Sequence, residues 1–199
     1  MRRFASTEGY DAQATKLIAR YESIAPEEVH QEVLHLIPEG PCHTLDIGAG
    51  SGRDAAWLAA RGHTVVAVEP TAQMREAGML LHPSARIEWI DDGLPALTAL
   101  EGRDPFDLIM LTAVWQHFDA DERARAMPRL AALANHNAVV TLLLRHGPVP
   151  EGRRMFQVTA EETAALARAA GFRCSSTRRG APFATTRRMS RGHRSHFAV

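Results

Sequence analysis

Residues 45–53 read LDIGAGSGR, with glycines at 48, 50 and 52 directly after an apolar run and directly before Arg53. A connecting turn needs one glycine or two. Three at alternate positions mean that the backbone itself comes close to a ligand. Glycine reaches φ above zero and leaves space for that approach, and the start of the following helix offers unpaired N–H groups. A dinucleotide fingerprint is spaced G-x-G-x-x-G, its third glycine letting helix and strand pack closely. Here Gly48, Gly50 and Gly52 give G-x-G-x-G, and Arg53 stands where that third glycine belongs. An arginine crowds a pyrophosphate but can meet a carboxylate. No Gly-Lys-Ser/Thr follows, which excludes a Walker loop. The ligand that suits the pattern is a nucleoside bearing an amino-acid tail. Glu69, at the end of the next apolar run and 21 residues after Gly48, stands where an acid accepts hydrogen bonds from ribose hydroxyls.

Outward from this loop, apolar runs alternate with helical patterns from about residue 44. Strands are expected at HTLDIG (43–48), HTVVAVEP (63–70), ARIEWID (85–91), FDLIMLTAV (106–114) and NAVVTLLLR (137–145). Between them lie RDAAWLAARG (53–62), closed by Gly62, and TAQMREAGMLL (71–81), with Thr71 as N-cap. DADERARAMPRLAALA (119–134) has Asp119 and Glu122 at capping-box spacing, and Pro128 should bend or break it. TAEETAALARAAG (159–171) runs from a cap at Thr159 to Gly171, and two weaker extended pieces, FRCSSTRR (172–179) and GHRSHFAV (192–199), end the chain. Fully apolar strands alternating with helices specify an α/β fold, a parallel sheet covered on both faces. The first 40 residues stand outside this alternation. TEGYDAQATKLIARYESIA and PEEVHQEVLHLI read as two amphipathic helices laid over the sheet's carboxyl edge. Residues 1–199 are therefore expected as one domain, with 1–40 a helical lid and 41–199 the core.

The chain has 199 residues, 45% of them hydrophobic, enough for one sizeable core. No run reaches the roughly 18 apolar residues of a membrane span, and the basic N-terminus lacks a signal peptide's apolar stretch. Cys42 and Cys174 stand far apart and outside metal-ligand spacing, so a reducing compartment, the cytoplasm, is expected. Net charge is zero but unevenly spread: residues 163–199 hold eight arginines and no acid, leaving 15 basic residues against 23 acids in 1–162. A basic tail can attract nucleic acid, yet no aromatics interleave with it as a base-stacking surface requires. All but Lys16 of the 23 basic residues are arginine, which makes the tail the chain's ordinary surface cation.

LDIGAGSGRDAAWLAARGHTVVAVEP, then WIDDGLP, then FDLIMLTAVWQHF, resembles the class I S-adenosylmethionine-dependent methyltransferases over roughly residues 40–175. The first segment is the specific one. The resemblance implies a Rossmann-like, seven-stranded, mostly parallel sheet of order 3-2-1-4-5-7-6, with the last strand antiparallel. It implies S-adenosyl-L-methionine as cofactor. Asp46 would sit beneath the loop and meet the cofactor's amino group, Gly48 and Gly50 would pass under its methionine and ribose parts, and Glu69 would hold the ribose. Asp91 or Asp92 would reach the adenine amino group, with Asp92 preferred because Leu-Pro follows it closely. Ala49, Gly52, Arg53, Pro70, Met74, Gly93, Leu94, Thr112 and the lid residue Tyr21 complete the implied cofactor set. With little insertion between strands five and six, the N-terminal helices must cover the acceptor.

Methyl transfer from a sulfonium needs alignment and exclusion of water more than a catalytic motif. A base is required only for a nucleophile that arrives protonated. His117, just beyond strand four, is the candidate, although a histidine there can equally brace the turn with Trp115. Arg145 and His146 project from the end of strand five, where an arginine can clamp a carboxylate or phosphate. Tyr10 and Tyr21 read as lid residues that cover the site or pack. Asp119, Asp121 and Glu122 cluster, but a helix cap accounts for them and no metal is expected. The reading is methyl transfer to a small-molecule acceptor, because the segment LTAVWQHF has no Asn/Asp-Pro-Pro-Tyr motif. A non-catalytic binding module on the same fold is the alternative, and a nicotinamide oxidoreductase is disfavoured by Arg53.

Overall fold

The computed structural model of the chain describes residues 4–145, 147–176 and 183–186. Strands β1 (His43–Ile47), β2 (Thr64–Val68), β3 (Ile87–Ile90), β4 (Phe106–Thr112) and β5 (Ala134–Leu143) pair in parallel in the order β3-β2-β1-β4-β5. Beyond β5 the sheet continues with β7 (Phe183–Thr186), antiparallel to β5, and then β6 (Arg173–Ser176), antiparallel to β7. The strand paired with β5 is at 183–186; the extended piece expected at 192–199 lies outside the described residues. Helices α3 (Arg53–Ala60), α4 (Ala72–Leu81), α5 (Ala120–Leu133) and α6 (Ala160–Ala169) connect the strands. Among the described residues no helix is long and apolar enough to cross a membrane.

The two faces follow the period of two that a strand imposes. Leu45, Ile47, Val66, Val68, Ile109 and Leu111 join the core that packs on α5 and α6. Val65, Ala67, Leu108 and Met110 face the other way, against Ala55, Leu58 and Ala59 of α3. Neighbouring positions on one strand therefore enter different cores, which is why the strands are apolar throughout. Deleting the Leu58 side chain, wholly buried, carries the ~2–5 kcal/mol cost of a core Leu-to-Ala change.

Several local expectations change. Pro128 neither breaks nor ends α5, which runs on to Leu133 with the exposed proline ring inside it. β5 begins at Ala134, paired with Phe106, and an exposed irregularity at 135–137 precedes the regular register from Val139. Thr71 stands at the N-cap of α4, but its side chain makes no capping bond. Asp119 and Glu122 do form the reciprocal capping box on α5, and Thr159 caps α6 by accepting from the Glu162 N–H. The N-terminal region is more broken than two helices: α1 (Ala14–Glu22) and the short α2 (Pro26–His30) are flanked by 3-10 turns at Ala5–Thr7, Asp11–Gln13 and Leu34–Leu36.

Candidate active site

The glycine loop lies between β1 and α3 at the carboxyl edge of the sheet. Gly48, Gly50 and Gly52 all have positive φ, at 71°, 58° and 85°. Their missing side chains serve different neighbours. A Cβ on Gly48 would fall 2.5 Å from Val114 Cγ2, and one on Gly52 would fall 2.7 Å from the Trp89 ring. Two of the three glycines thus answer to packing within the protein. A Cβ on Gly50 would meet only ordinary contacts, 3.6 Å from the Tyr21 ring and 3.9 Å from Met74 Sδ.

Glu69 ties this loop to β2. Its Oε2 accepts the Gly50 N–H at 2.8 Å and its Oε1 accepts the Thr71 N–H at 2.7 Å. Burial pushes the Glu69 carboxyl above its ordinary value, and the bonds from Thr71 and Gly50 and the charge of Arg75 act against that rise. Asp46 is also buried, and its Oδ2 has no hydrogen-bond partner among the described residues. Burial, with the Asp54 carboxylate nearby, raises Asp46 well above the ordinary carboxylate range. Asp54 itself is a hub that sequence reasoning missed. It accepts from His30 Nε2 at 2.9 Å, Arg53 Nε at 2.8 Å and Thr112 Oγ1 at 2.8 Å. Burial alone would raise its pKa, but the bonds and charges of His30 and Arg53 outweigh it and hold the carboxyl far below the usual range. Arg53 also reaches the Tyr21 carbonyl at 3.2 Å, so α1, α2 and the loop meet on one ion-pair cluster.

The two aspartates after β3 point differently. Asp92 is buried, with Oδ1 accepting from the Gly93 N–H at 2.8 Å and Oδ2 from the Ala99 N–H at 2.7 Å. Asp91 lies outside, 3.3 Å from Arg75. Phe4 and Pro70 both lie against Gly93: a Cβ there would sit 3.1 Å from Phe4 Cδ1 and 3.6 Å from Pro70 Cγ. Leu94 is buried beneath this end of the site.

At the end of β4, Ala113 takes a φ of 56°, a rare state for a residue with a Cβ, and turns Val114 onto Gly48. The 3-10 turn Trp115–His117 follows, with all three residues buried. His117 Nδ1 faces the Arg154 carbonyl at 2.9 Å and Nε2 faces the Tyr10 hydroxyl at 2.8 Å. A carbonyl only accepts, so Nδ1 carries the hydrogen and Nε2 accepts from Tyr10. Burial lowers the pKa of His117; the bond to Arg154 opposes this, and the charges of Arg153, Arg145 and Arg154 add to it. Both ring nitrogens are engaged, which is the bracing arrangement rather than that of a free base. Burial likewise pushes the Tyr10 hydroxyl far up. Arg154 bridges Asp119 at 3.0 Å and Glu122 at 2.7 Å, which employs the acids of the cap. Arg153 lays its guanidinium over the Tyr10 ring, 3.6 Å from the centroid. Arg145 is exposed, reaching Met155 Sδ at 3.4 Å and the Pro148 carbonyl at 3.3 Å, and His146 lies outside the described residues.

Asp46, the glycines, Arg53, Glu69, Met74, Thr112 and Tyr21 are thus assembled at one edge, with His117 at its far side. His30, Asp54, Arg153 and Arg154 were not legible as site residues. The only signals were an acid in the first helical turn after Arg53 and a histidine within an amphipathic stretch.

Residues 44–137 match the family profile described as a methyltransferase domain. An uncharacterized methyltransferase of Oceanobacillus iheyensis is 28% identical over 125 residues, covering 61% of this chain. The chain spans about half the length of that curated relative, 52%. Among solved structures, Burkholderia thailandensis 1,6-didemethyltoxoflavin-N1-methyltransferase, with bound 1,6-didemethyltoxoflavin and S-adenosylhomocysteine, superposes with a TM-score of 0.66 at 21% identity, covering 89% of this chain and 90% of that one. A TehB-like SAM-dependent methyltransferase from Corynebacterium glutamicum gives a TM-score of 0.64 at 18% identity, covering 88% and 96%. At these identities the structural likeness concerns the fold.

Proposed function

We propose that this chain, whose residues 44–137 match a methyltransferase-domain profile, is a class I S-adenosylmethionine-dependent methyltransferase that methylates a small-molecule acceptor. The observation that carries the cofactor half is the unpartnered Oδ2 of buried Asp46 beside the Gly50–Glu69 pair. A buried carboxylate oxygen without a donor is costly, and an ammonium group supplies what it lacks. Each oxygen of Glu69 accepts one backbone N–H and keeps a lone pair for a ribose hydroxyl. Arg53, fixed by Asp54, is placed for the carboxylate of the same ligand, and Pro70, Gly93 and Phe4 offer apolar surface to its base. Asp92 supports that surface by anchoring its turn.

When bound, S-adenosylmethionine supplies a methyl group on positively charged sulfur. The chain's own work is to hold the acceptor in line and keep water away. Residues 1–40 form the cover, as part of a single domain: Tyr21 lies against the loop and Tyr10 closes onto His117. His117 first serves closure, holding Tyr10 while Arg154 fixes its tautomer. It is open to an acceptor proton only once Tyr10 moves aside.

Titration calorimetry tests the reading. The protein should bind S-adenosylhomocysteine and show no heat with NAD, and Glu69→Ala should weaken that binding at least about tenfold, the equivalent of one lost hydrogen bond to a charged group. Binding of NAD alone, or an unchanged affinity in Glu69→Ala, would overturn it.

A further inference from the structure

Of the chain's arginines, Arg53, Arg75, Arg103, Arg123 and Arg154 each face a carboxylate. Arg145 and Arg153, both on the connection between β5 and α6, are among those that form no ion pair among the described residues, and of these only Arg153 has a buried N–H without an acceptor. The contrast is sharpest between neighbours, because Arg154 is paired twice and Arg153 not at all. Arg153 donates to Gln13 Oε1 at 3.2 Å, while its Nε is buried without an acceptor. Its guanidinium rests on Tyr10, whose hydroxyl meets His117 at the edge of the site. A buried guanidinium N–H beside this edge, unpaired with any carboxylate among the described residues, is a receptor for an anion supplied from outside.

Resting on the methyltransferase reading, we infer that the methyl acceptor carries an anionic oxygen group, a carboxylate or phosphate, and that Arg153 receives it, with Arg145 on the outer rim adding attraction. The planar guanidinium presents parallel N–H groups that match either anion, and an ammonium would not. Tyr10 backs the guanidinium, so an anion received there would lie against the N-terminal segment. The inference concerns a specificity residue, distinct from the groups assigned to the cofactor.

Three probes with one ring separate the possibilities: benzoate, phenyl phosphate and the uncharged benzamide, each titrated calorimetrically into full-length protein saturated with S-adenosylhomocysteine. At least one anion should bind tenfold or more tightly than benzamide, and the tighter of the two identifies the anion class. Arg153→Gln should abolish the preference and Arg153→Lys should restore part of it, each measured at saturating S-adenosylhomocysteine. Equal binding of anions and benzamide, no binding of any probe, or a preference that survives Arg153→Gln would overturn the inference. Failure of the wild type to bind S-adenosylhomocysteine would instead bring down the methyltransferase reading.

Discussion

Glu69 and Asp46 are buried acids whose pKa values are raised, so the folded chain holds protons that the unfolded chain releases. Their contribution therefore falls as pH rises from the ordinary carboxylate range, 3.8 for Asp and 4.5 for Glu, toward their raised values. A ligand that donates hydrogen bonds to them favours the charged forms. Binding of S-adenosylhomocysteine should thus release protons, seen as a heat that varies with the buffer's ionisation enthalpy, and Glu69→Gln should lessen the release. Asp54 acts in the opposite sense: its partners stabilise the fold above 3.8, and that support is lost in stronger acid. His117 also resists protonation, so the unfolded chain binds more protons and stability falls as pH drops through 6.5. His117→Asn should flatten the pH dependence of the urea midpoint between about pH 7 and 5. It should leave turnover within a few-fold if bracing is its whole role. The glycine spacing and the position of Glu69 were legible because backbone conformation constrains residue type. The Asp54 hub was not, since nothing in the local sequence says that His30, 24 residues upstream, will reach it.

Among the elements, strands and helices were legible wherever local pattern and burial agree, as in β1, β2 and β4. Ends were less so. Pro128 shows why: it cannot donate to the Ala124 carbonyl, yet packing of Met127, Leu130 and Leu133 holds α5 together across it. Pro128→Ala at this exposed site should stabilise the protein by ~1–3 kcal/mol, the penalty of an interior helical proline, raising the urea midpoint at unchanged slope. Gly78 on α4 is a case that propensity misreads. Alanine would favour the helix, but a Cβ there would lie 2.3 Å from the Trp89 ring and 2.9 Å from the Ser51 carbonyl. Gly78→Ala should therefore destabilise by ~1–3 kcal/mol, as overpacking does. Strand β7 eluded sequence reading because FATT at 183–186 is short, and its place beside β5 is decided by pairing rather than by its own pattern.

Across the whole molecule, the N-terminal segment touches parts of the chain more than a hundred residues away. Tyr10 meets His117, Gln13 meets Arg153, and Gly9, at a φ of 76°, lies so close to Gly152 that a Cβ would be 2.3 Å from its carbonyl oxygen. Gly9→Ala should detach the segment, and Tyr10→Phe should loosen it by about one hydrogen bond, ~1 kcal/mol. In both, S-adenosylhomocysteine should dissociate faster, several-fold in Tyr10→Phe, as stopped-flow displacement would record. A cover was foreseeable from the amphipathic 1–40 region, but its fastening was not, because such contacts arise only once the sheet has brought distant turns together. The indole of Trp89, wedged between Gly52 and Gly78, sits where any shift of the loop must be felt. The chain therefore carries an optical gauge of its own: excited near 295 nm, this ring should change its emission as the cleft fills, and Trp89→Phe should silence the signal while Trp57 and Trp115 still glow.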